Sequence, residues 1–224
     1  MTELVWYAAY GSNLFAARFI TYLTGGHAPH RPGERPQQGA RDPAPPLANR
    51  PWPLRHQLFF GGSSPNWGGG AIAMLDQHRN PDHPTLARIW LVNSQQFEDI
   101  FRQENRRTVP DRTDQESEDP ERLFQVEDLA AGAHVDVADS FYGRILNLGP
   151  GPGGHPVVTF VGADPGRHQR GPGHLSYLRT IGLGLMECWG LSLEAATEYL
   201  VASEGNAGAV SSDDIRADLA RWSH

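Results

Sequence analysis

The residues Tyr-Gly-Ser-Asn at positions 10–13 are the part of this chain best suited to bind or polarise an acyl group. They follow an apolar run at 4–9 whose bulky and aromatic residues favour a β-strand, and a helical pattern begins directly after them. A glycine turn between a strand and a helix N-terminus directs several peptide N–H groups to one point, which suits a carboxylate or a developing oxyanion. The alternative is a capped turn that binds nothing, with Ser12 or Asn13 as the predicted cap.

Glu104 is the second candidate for chemistry, as an acid or a base. It continues an apolar series at helical spacing that includes Phe97, Ile100 and Phe101, so we expect its side chain to point inward. A carboxyl group on a buried face has a raised pKa, which suits proton transfer to and from nitrogen. The alternative is a structural glutamate at a helix end, either exposed or paired with a nearby arginine.

For the other reactive side chains, the sequence favours a structural role over a catalytic one. Glu98 and Asp99 fall on the polar side of the predicted helix and are expected to be solvated, and Glu187 is explained by an ion pair. Cys188 lies in an apolar helical pattern, which favours a buried thiol over a nucleophile. Ser12 lacks the G-x-S-x-G context of a serine nucleophile, and the histidines lack the spacing of a zinc site, so no metal is predicted.

The elements that must position these residues are short strands followed by helices. Strands are predicted at 4–9, 58–60, 71–75, 86–92, 142–148 and 157–161. Helices are predicted at 14–23, 94–104, 174–188 and 193–202, the last capped by Ser192, with a final short helix opening at Ser211 and burying Ile215, Leu219 and Trp222. This order indicates an α+β fold rather than alternating βαβ units. We expect one domain over 1–224, with long loops at 24–57 and 108–139.

Tyr10-Gly11-Ser12-Asn13 after an N-terminal strand resembles the signature of the γ-glutamyl cyclotransferase family. Further segments resemble that family in the same order, at 67–73, 85–92, 94–104, 140–142 and 177–202. The resemblance implies a small mixed β-barrel-like sheet flanked by helices. It also implies an intramolecular acyl transfer, in which the α-amine of a γ-glutamyl group attacks its own γ-carbonyl and releases 5-oxoproline and an amine.

The resemblance assigns roles to particular residues. Glu104 corresponds to the family's catalytic glutamate and would move the proton. The substrate-binding residues would be Tyr10, Gly11, Ser12, Asn13, Leu14 and Tyr142. For Tyr142, a tyrosine at the edge of the core is the competing interpretation. No metal, nucleotide or other cofactor is implied, and the expected partner is a small γ-glutamyl substrate.

Composition excludes several other classes. The net charge is −7 and all nineteen basic residues are arginine, so non-specific nucleic-acid binding is not expected. We expect no membrane association and a cytoplasmic location, because the chain shows no apolar run of about 20 residues and its single cysteine permits no intrachain disulfide. A non-catalytic module that binds a small acid, and an enzyme that removes a γ-glutamyl protecting group in secondary metabolism, remain alternatives.

Overall fold

A computed structural model describes residues 3–28, 35–110 and 129–222. The strands are β1 (Leu4–Ala9), β2 (Ala48–Leu54), β3 (His56–Gly61), β4 (Ile72–Arg79), β5 (Thr85–Asn93), β6 (His134–Asp136), β7 (Arg144–Pro150) and β8 (Pro156–Val161). The helices are α1 (Ala16–Thr24), α2 (Ser94–Glu104), α3 (Leu175–Trp189), α4 (Leu193–Ala202) and α5 (Ser212–Ala220). The predicted α+β class is confirmed.

The strands form one mixed sheet of six strands and a separate hairpin. The order in the larger sheet is β2-β5-β1-β8-β7-β6. In it, β1 and β8 are parallel, with Trp6 opposite Val157, whereas β7 runs antiparallel to both β8 and β6. Strands β3 and β4 pair antiparallel with each other. The parallel pairing brings the first and last strands of the described sheet region together, although they are distant in sequence.

The chain divides into two compact units. The first contains residues 1–8, 19–49 and 89–163, and the second contains residues 9–18, 50–88 and 164–224. Glu104 and Tyr142 therefore belong to the first unit, whereas the turn at 10–14 belongs to the second. Among the described helices, none has the length and apolar character needed to cross a membrane.

An aromatic core orders the first unit and fixes α2 in it. The ring centroids of Phe160 and Phe97 lie 4.8 Å apart, and those of Phe160 and Tyr7 lie 5.0 Å apart. Phe19 of α1 stacks on Trp90 of β5 at 4.3 Å. Each aromatic pair adds about 0.5–1.5 kcal/mol beyond the area that it buries. Since Phe97 projects from α2, this packing sets the direction of the helix that ends at Glu104.

The start of α2 is fixed by a capping box. The Asn93 side chain accepts a hydrogen bond from the Gln96 backbone N–H at 2.8 Å, and the Gln96 side chain accepts from the Asn93 N–H at 3.1 Å. This reciprocal pair satisfies two of the N–H groups that a helix start leaves without intrahelical acceptors. The predicted helix at 94–104 is confirmed.

The prediction that Glu98 and Asp99 are solvated is wrong. Glu98 is 5% exposed and Asp99 is fully buried. The Nε of Arg41 donates to Asp99 Oδ1 at 3.0 Å, its backbone N–H donates to Asp99 Oδ2 at 2.8 Å, and Arg102 pairs with Glu98 at 2.7 Å. Burial raises the pKa of Asp99, and the hydrogen bonds from Arg41 oppose that increase. In the sequence, Glu98 and Asp99 lie on a polar face of the helix. The residue that covers Asp99 in the fold, Arg41, comes from a distant segment.

The predicted loop at 24–57 contains a strand that the sequence did not indicate. Residues Ala48–Leu54 form β2 even though two prolines, Pro51 and Pro53, lie within it. The strand is the outermost one of the described sheet, where proline is tolerated because one side of the strand needs no donor. Residues 29–34 of the predicted loop lie outside the described residues.

The predicted loop at 108–139 is described only at its ends, since residues 111–128 lie outside the described residues. Its last part includes β6, which pairs with β7. In α5, Ile215 and Leu219 are buried as predicted, but the prediction that Trp222 is buried is wrong, because it is 42% exposed. The Arg179 guanidinium lies 4.6 Å from the centre of its ring.

Candidate functional site

The turn after β1 is buried and tightly wound. Residues Ser12–Leu14 form one 3₁₀ turn, and α1 begins only at Ala16. Tyr10 is 5% exposed, Asn13 3% and Leu14 not at all. The predicted order of strand, turn and helix is confirmed. Gly11, which has no side chain to contribute, is the N-cap of this 3₁₀ turn, and no side chain caps the turn. The first N–H groups of any helical turn have no acceptor within that turn.

One face of α3 packs directly on this turn. A Cβ atom added at Gly11 would lie 2.9 Å from the Tyr177 Oη, which accepts a hydrogen bond from the Ala73 N–H at 3.1 Å. A Cβ added at Gly184 would lie 2.6 Å from the carbonyl carbon of Leu14. Tyr177 and Gly184 are separated by about two helical turns, so both project from the same face of α3. Backbone-to-backbone contact at Gly184 therefore fixes how the turn sits on the helix.

Gly184→Ala is expected to lower the free energy of unfolding by about 2 kcal/mol, a typical cost of overpacking. Without the contact at Leu14, alanine would stabilise a helix interior by roughly 0.5–1 kcal/mol relative to glycine. Urea unfolding followed by circular dichroism measures the difference. The matched control is Gly171→Ala, because a Cβ there would meet no atom within 4 Å. Equal stability of the two variants would contradict the close contact.

In the second unit, an aromatic ring and a cationic side chain lie next to Tyr177. The rings of Trp67 and Tyr177 lie 4.5 Å apart, and the Arg18 guanidinium lies 5.9 Å from the centre of the Trp67 ring. Arg18 is 4% exposed. A buried cation over an indole face gains about 2 kcal/mol or more when it is desolvated. The second unit therefore places a positive charge and two aromatic rings in one continuous series of contacts that ends at Gly11.

The glycine-rich segment after Trp67 allows a close approach to α3. A Cβ at Gly70 would lie 2.4 Å from the His174 backbone nitrogen, and Gly68 adopts a left-handed conformation with φ 61°. His174 is the N-cap of α3, and its side chain accepts a hydrogen bond from the Ser176 N–H. Glycine at these positions is thus explained by packing against the helix start that carries Tyr177.

In the first unit, Asn105 joins the segment of Tyr142 to the end of α2. Its Nδ2 donates to the Tyr142 carbonyl oxygen at 3.3 Å and to the Phe101 carbonyl oxygen at 2.9 Å, and the Ser140 hydroxyl bonds to its Oδ1. Tyr142 lies in the turn before β7, not within a strand as predicted. Glu104, the last residue of α2, and Tyr142 are both half-buried. The structure therefore brings these two predicted site residues to the same end of α2.

The remaining reactive groups do not form a second site. Cys188 is half-buried, and burial raises the pKa of its thiol, which disfavours a nucleophilic role. Among the residues that the structure describes, no three His, Cys, Asp or Glu side chains are grouped so that they could hold a metal ion.

No protein-family model matches the chain. Two solved structures match 96% of it and 99% of their own chains, each with a TM-score of 0.50. One is a γ-glutamyl cyclotransferase, with 19% sequence identity, and the other is an uncharacterized protein from Homo sapiens, with 21%. The chain has the γ-glutamyl cyclotransferase fold. The fold implied by the sequence resemblance is thereby confirmed.

The sequence of the chain also matches part of a much longer protein. Histone deacetylase 5 of Arabidopsis thaliana is 31% identical over 216 residues. That match spans 88% of this chain but only 30% of the curated protein. The similarity therefore concerns one segment of histone deacetylase 5, and the chain spans about a third of that protein's length.

Within the γ-glutamyl cyclotransferase fold, sequence reasoning missed three residues of the turn's surroundings: Arg18, Trp67 and Tyr177. Trp67 and Tyr177 fall in segments that the resemblance had matched, but nothing in their local pattern separated them from core aromatics. Arg18 lies on α1 in an otherwise apolar run, and a charged residue in such a run is the one signal that marks it.

Proposed function

We propose that this chain is a γ-glutamyl cyclotransferase-like enzyme that acts on a small γ-glutamyl amino acid or amine. The free α-amine of the substrate attacks its own γ-carbonyl carbon, and the bond between that carbon and the leaving nitrogen breaks. The attacking nitrogen loses two protons as it changes from an ammonium to the lactam N–H. One is transferred to the leaving nitrogen, which departs as an amine, and the other protonates that amine or passes to solvent. The second product is 5-oxoproline. The nucleophile is already part of the substrate, so the reaction needs no metal, nucleotide or covalent enzyme intermediate.

Each site residue has a defined task in this proposal. The N–H groups of Gly11, Ser12 and Asn13 bind the carboxylate or the oxyanion of the substrate, and Leu14 completes the turn that presents them. Glu104 removes the proton from the ammonium and returns it to the leaving nitrogen. Tyr10 and Tyr142 contact the glutamyl group. The observation that carries the proposal is the buried, rigidly packed turn at the end of β1 in a chain that has this fold.

The test is release of free 5-oxoproline from a panel of γ-glutamyl amino acids, γ-glutamyl amines and bulkier γ-glutamyl conjugates. The α-linked glutamyl isomers are the matched controls, because they lack the γ-amide from which an amine could leave. We expect turnover of at least one γ-linked substrate and none of the α-linked isomers. Product from both series, or from neither, would contradict the proposal. Preference for the bulkiest conjugates would favour removal of a protecting group.

A second candidate is a module that binds a small acid without turnover. The match to a segment of histone deacetylase 5 favours it, because the same fold would there be one part of a larger protein. Calorimetric titration with 5-oxoproline and with a γ-glutamyl amine separates the two functions. Binding without product release supports the module, whereas turnover of the same ligand supports the enzyme.

A further inference from the structure

Arg88 and Glu187 form an ion pair that holds the backbone on both sides of Phe15. The two side chains meet with Arg88 Nη1 at 3.2 Å from Glu187 Oε1. The same Arg88 nitrogen donates to the carbonyl oxygen of Leu14 at 3.1 Å. The other Glu187 oxygen, Oε2, accepts from the N–H of Ala16 at 3.1 Å. One ion pair thus binds the last carbonyl of the 3₁₀ turn and the first N–H of α1.

The surrounding contacts hold Arg88 and Glu187 in fixed positions. Glu187 lies about one helical turn beyond Gly184 on α3, so it shares the face that packs on the turn. Trp189 at the end of α3 donates its Nε1–H to the Ala87 carbonyl oxygen at 3.0 Å. That bond fixes the end of α3 beside the strand residue that precedes Arg88. Arg88 is 6% exposed, which restricts its side chain to the observed position.

We propose that Arg88 and Glu187 are positioning residues, which set the orientation of the N–H groups of Gly11, Ser12 and Asn13. The identity of what those groups bind rests on the proposed function. The pair contacts the backbone at Leu14 and Ala16, so we assign it an action through the turn. Donors directed at an oxyanion are effective only when their geometry is fixed in advance. A misplacement of about 1 Å in such a site lowers the rate by as much as 10²-fold.

The first measurement determines kcat and KM separately for variants of the pair. Glu187→Ala and Arg88→Ala are expected to lower kcat by roughly 10- to 100-fold, with a smaller change in KM. Glu187→Gln is expected to give an intermediate loss, because its amide oxygen can accept from only one of the two partners. The control is Asp218→Asn, which breaks the ion pair of Arg179 on the same helix without contacting the turn. It should leave kcat unchanged.

The second measurement does not depend on turnover. Glu187→Gln and Arg88→Lys preserve side-chain size, and both should shift the amide NMR resonances of residues 11–13, whereas Asp218→Asn should not. Lysine keeps the charge, but its ammonium nitrogen ends one bond short of the position of Arg88 Nη1, so it cannot hold the Leu14 oxygen and Glu187 in the same geometry. Unchanged amide resonances in both variants would overturn the positioning role, as would kcat values equal to that of the control. If the wild-type chain releases no 5-oxoproline at all, the proposed function fails, and the amide shifts still decide whether the pair positions the turn.

Discussion

Glu104→Gln is expected to abolish detectable 5-oxoproline release and to leave the fold intact. The amide has nearly the size of the carboxyl group but cannot accept the ammonium proton, so the general acid–base contribution is lost. That contribution is worth roughly 10²–10⁴ in rate, or about 3–5 kcal/mol. The measurement is kcat for the best γ-glutamyl substrate of the panel, with circular dichroism to compare the folded state of the variant and the wild type.

The control for this variant lies on the same helix. Glu98→Gln makes the same chemical change but removes a buried ion pair with Arg102 and does not alter the proposed proton carrier. It should lower thermal stability while kcat per folded molecule stays at the wild-type value. Full activity in Glu104→Gln would exclude Glu104 from the mechanism, and equal losses of kcat in both variants would indicate a general effect of α2.

Asp99→Asn is expected to lower the free energy of unfolding by about 3 kcal/mol. Removing one partner of a buried ion pair costs roughly 3–5 kcal/mol, because it leaves the other charge buried without compensation. We expect the lower end of that range, since the Glu98 carboxylate lies 3.8 Å from Arg41 Nη2 and still compensates in part. Urea unfolding gives the value, and a loss of this size is a large share of the 5–15 kcal/mol typical of a folded protein.

Asp136→Asn provides the matched control for burial. Asp136 also pairs with an arginine, Arg144, but its side chain is 54% exposed. Exposed pairs contribute about 0–1 kcal/mol, so this variant should be nearly as stable as the wild type. The paired variant R41M/D99L should recover part of the stability that Asp99→Asn loses, because apolar residues replace both charges, while the backbone N–H of residue 41 loses its acceptor. A loss at Asp99 no larger than that at Asp136 would show that the buried pair stabilises nothing.

The parts of the fold that the sequence predicted correctly depend on local signals. The bounds of α2 follow from its apolar spacing, and Ser192 and Ser211 each cap the following helix through a side-chain bond to a backbone N–H. Such signals involve residues three or four positions apart, so a single sequence contains both partners. The same holds for the strand and turn that precede α1.

The parts that the sequence did not predict depend on partners brought together by the tertiary fold. Asp99 looks solvated until Arg41 covers it, and Tyr177 looks like any core aromatic until its hydroxyl meets Gly11. Glu187 was assigned an ion pair, which the structure confirms with Arg88. Its second bond, to the Ala16 N–H, could not be foreseen, because it joins residues at opposite ends of the chain.

The two prolines of β2 have a consequence for how the protein behaves in concentrated solution. Pro51 and Pro53 lack an N–H, so neither residue can donate a backbone hydrogen bond to another strand. Proline in the outermost strand of a sheet is one of the devices by which proteins discourage pairing with a strand of another chain. We therefore expect the β2 rim of the described sheet to be a poor template for edge-to-edge strand addition.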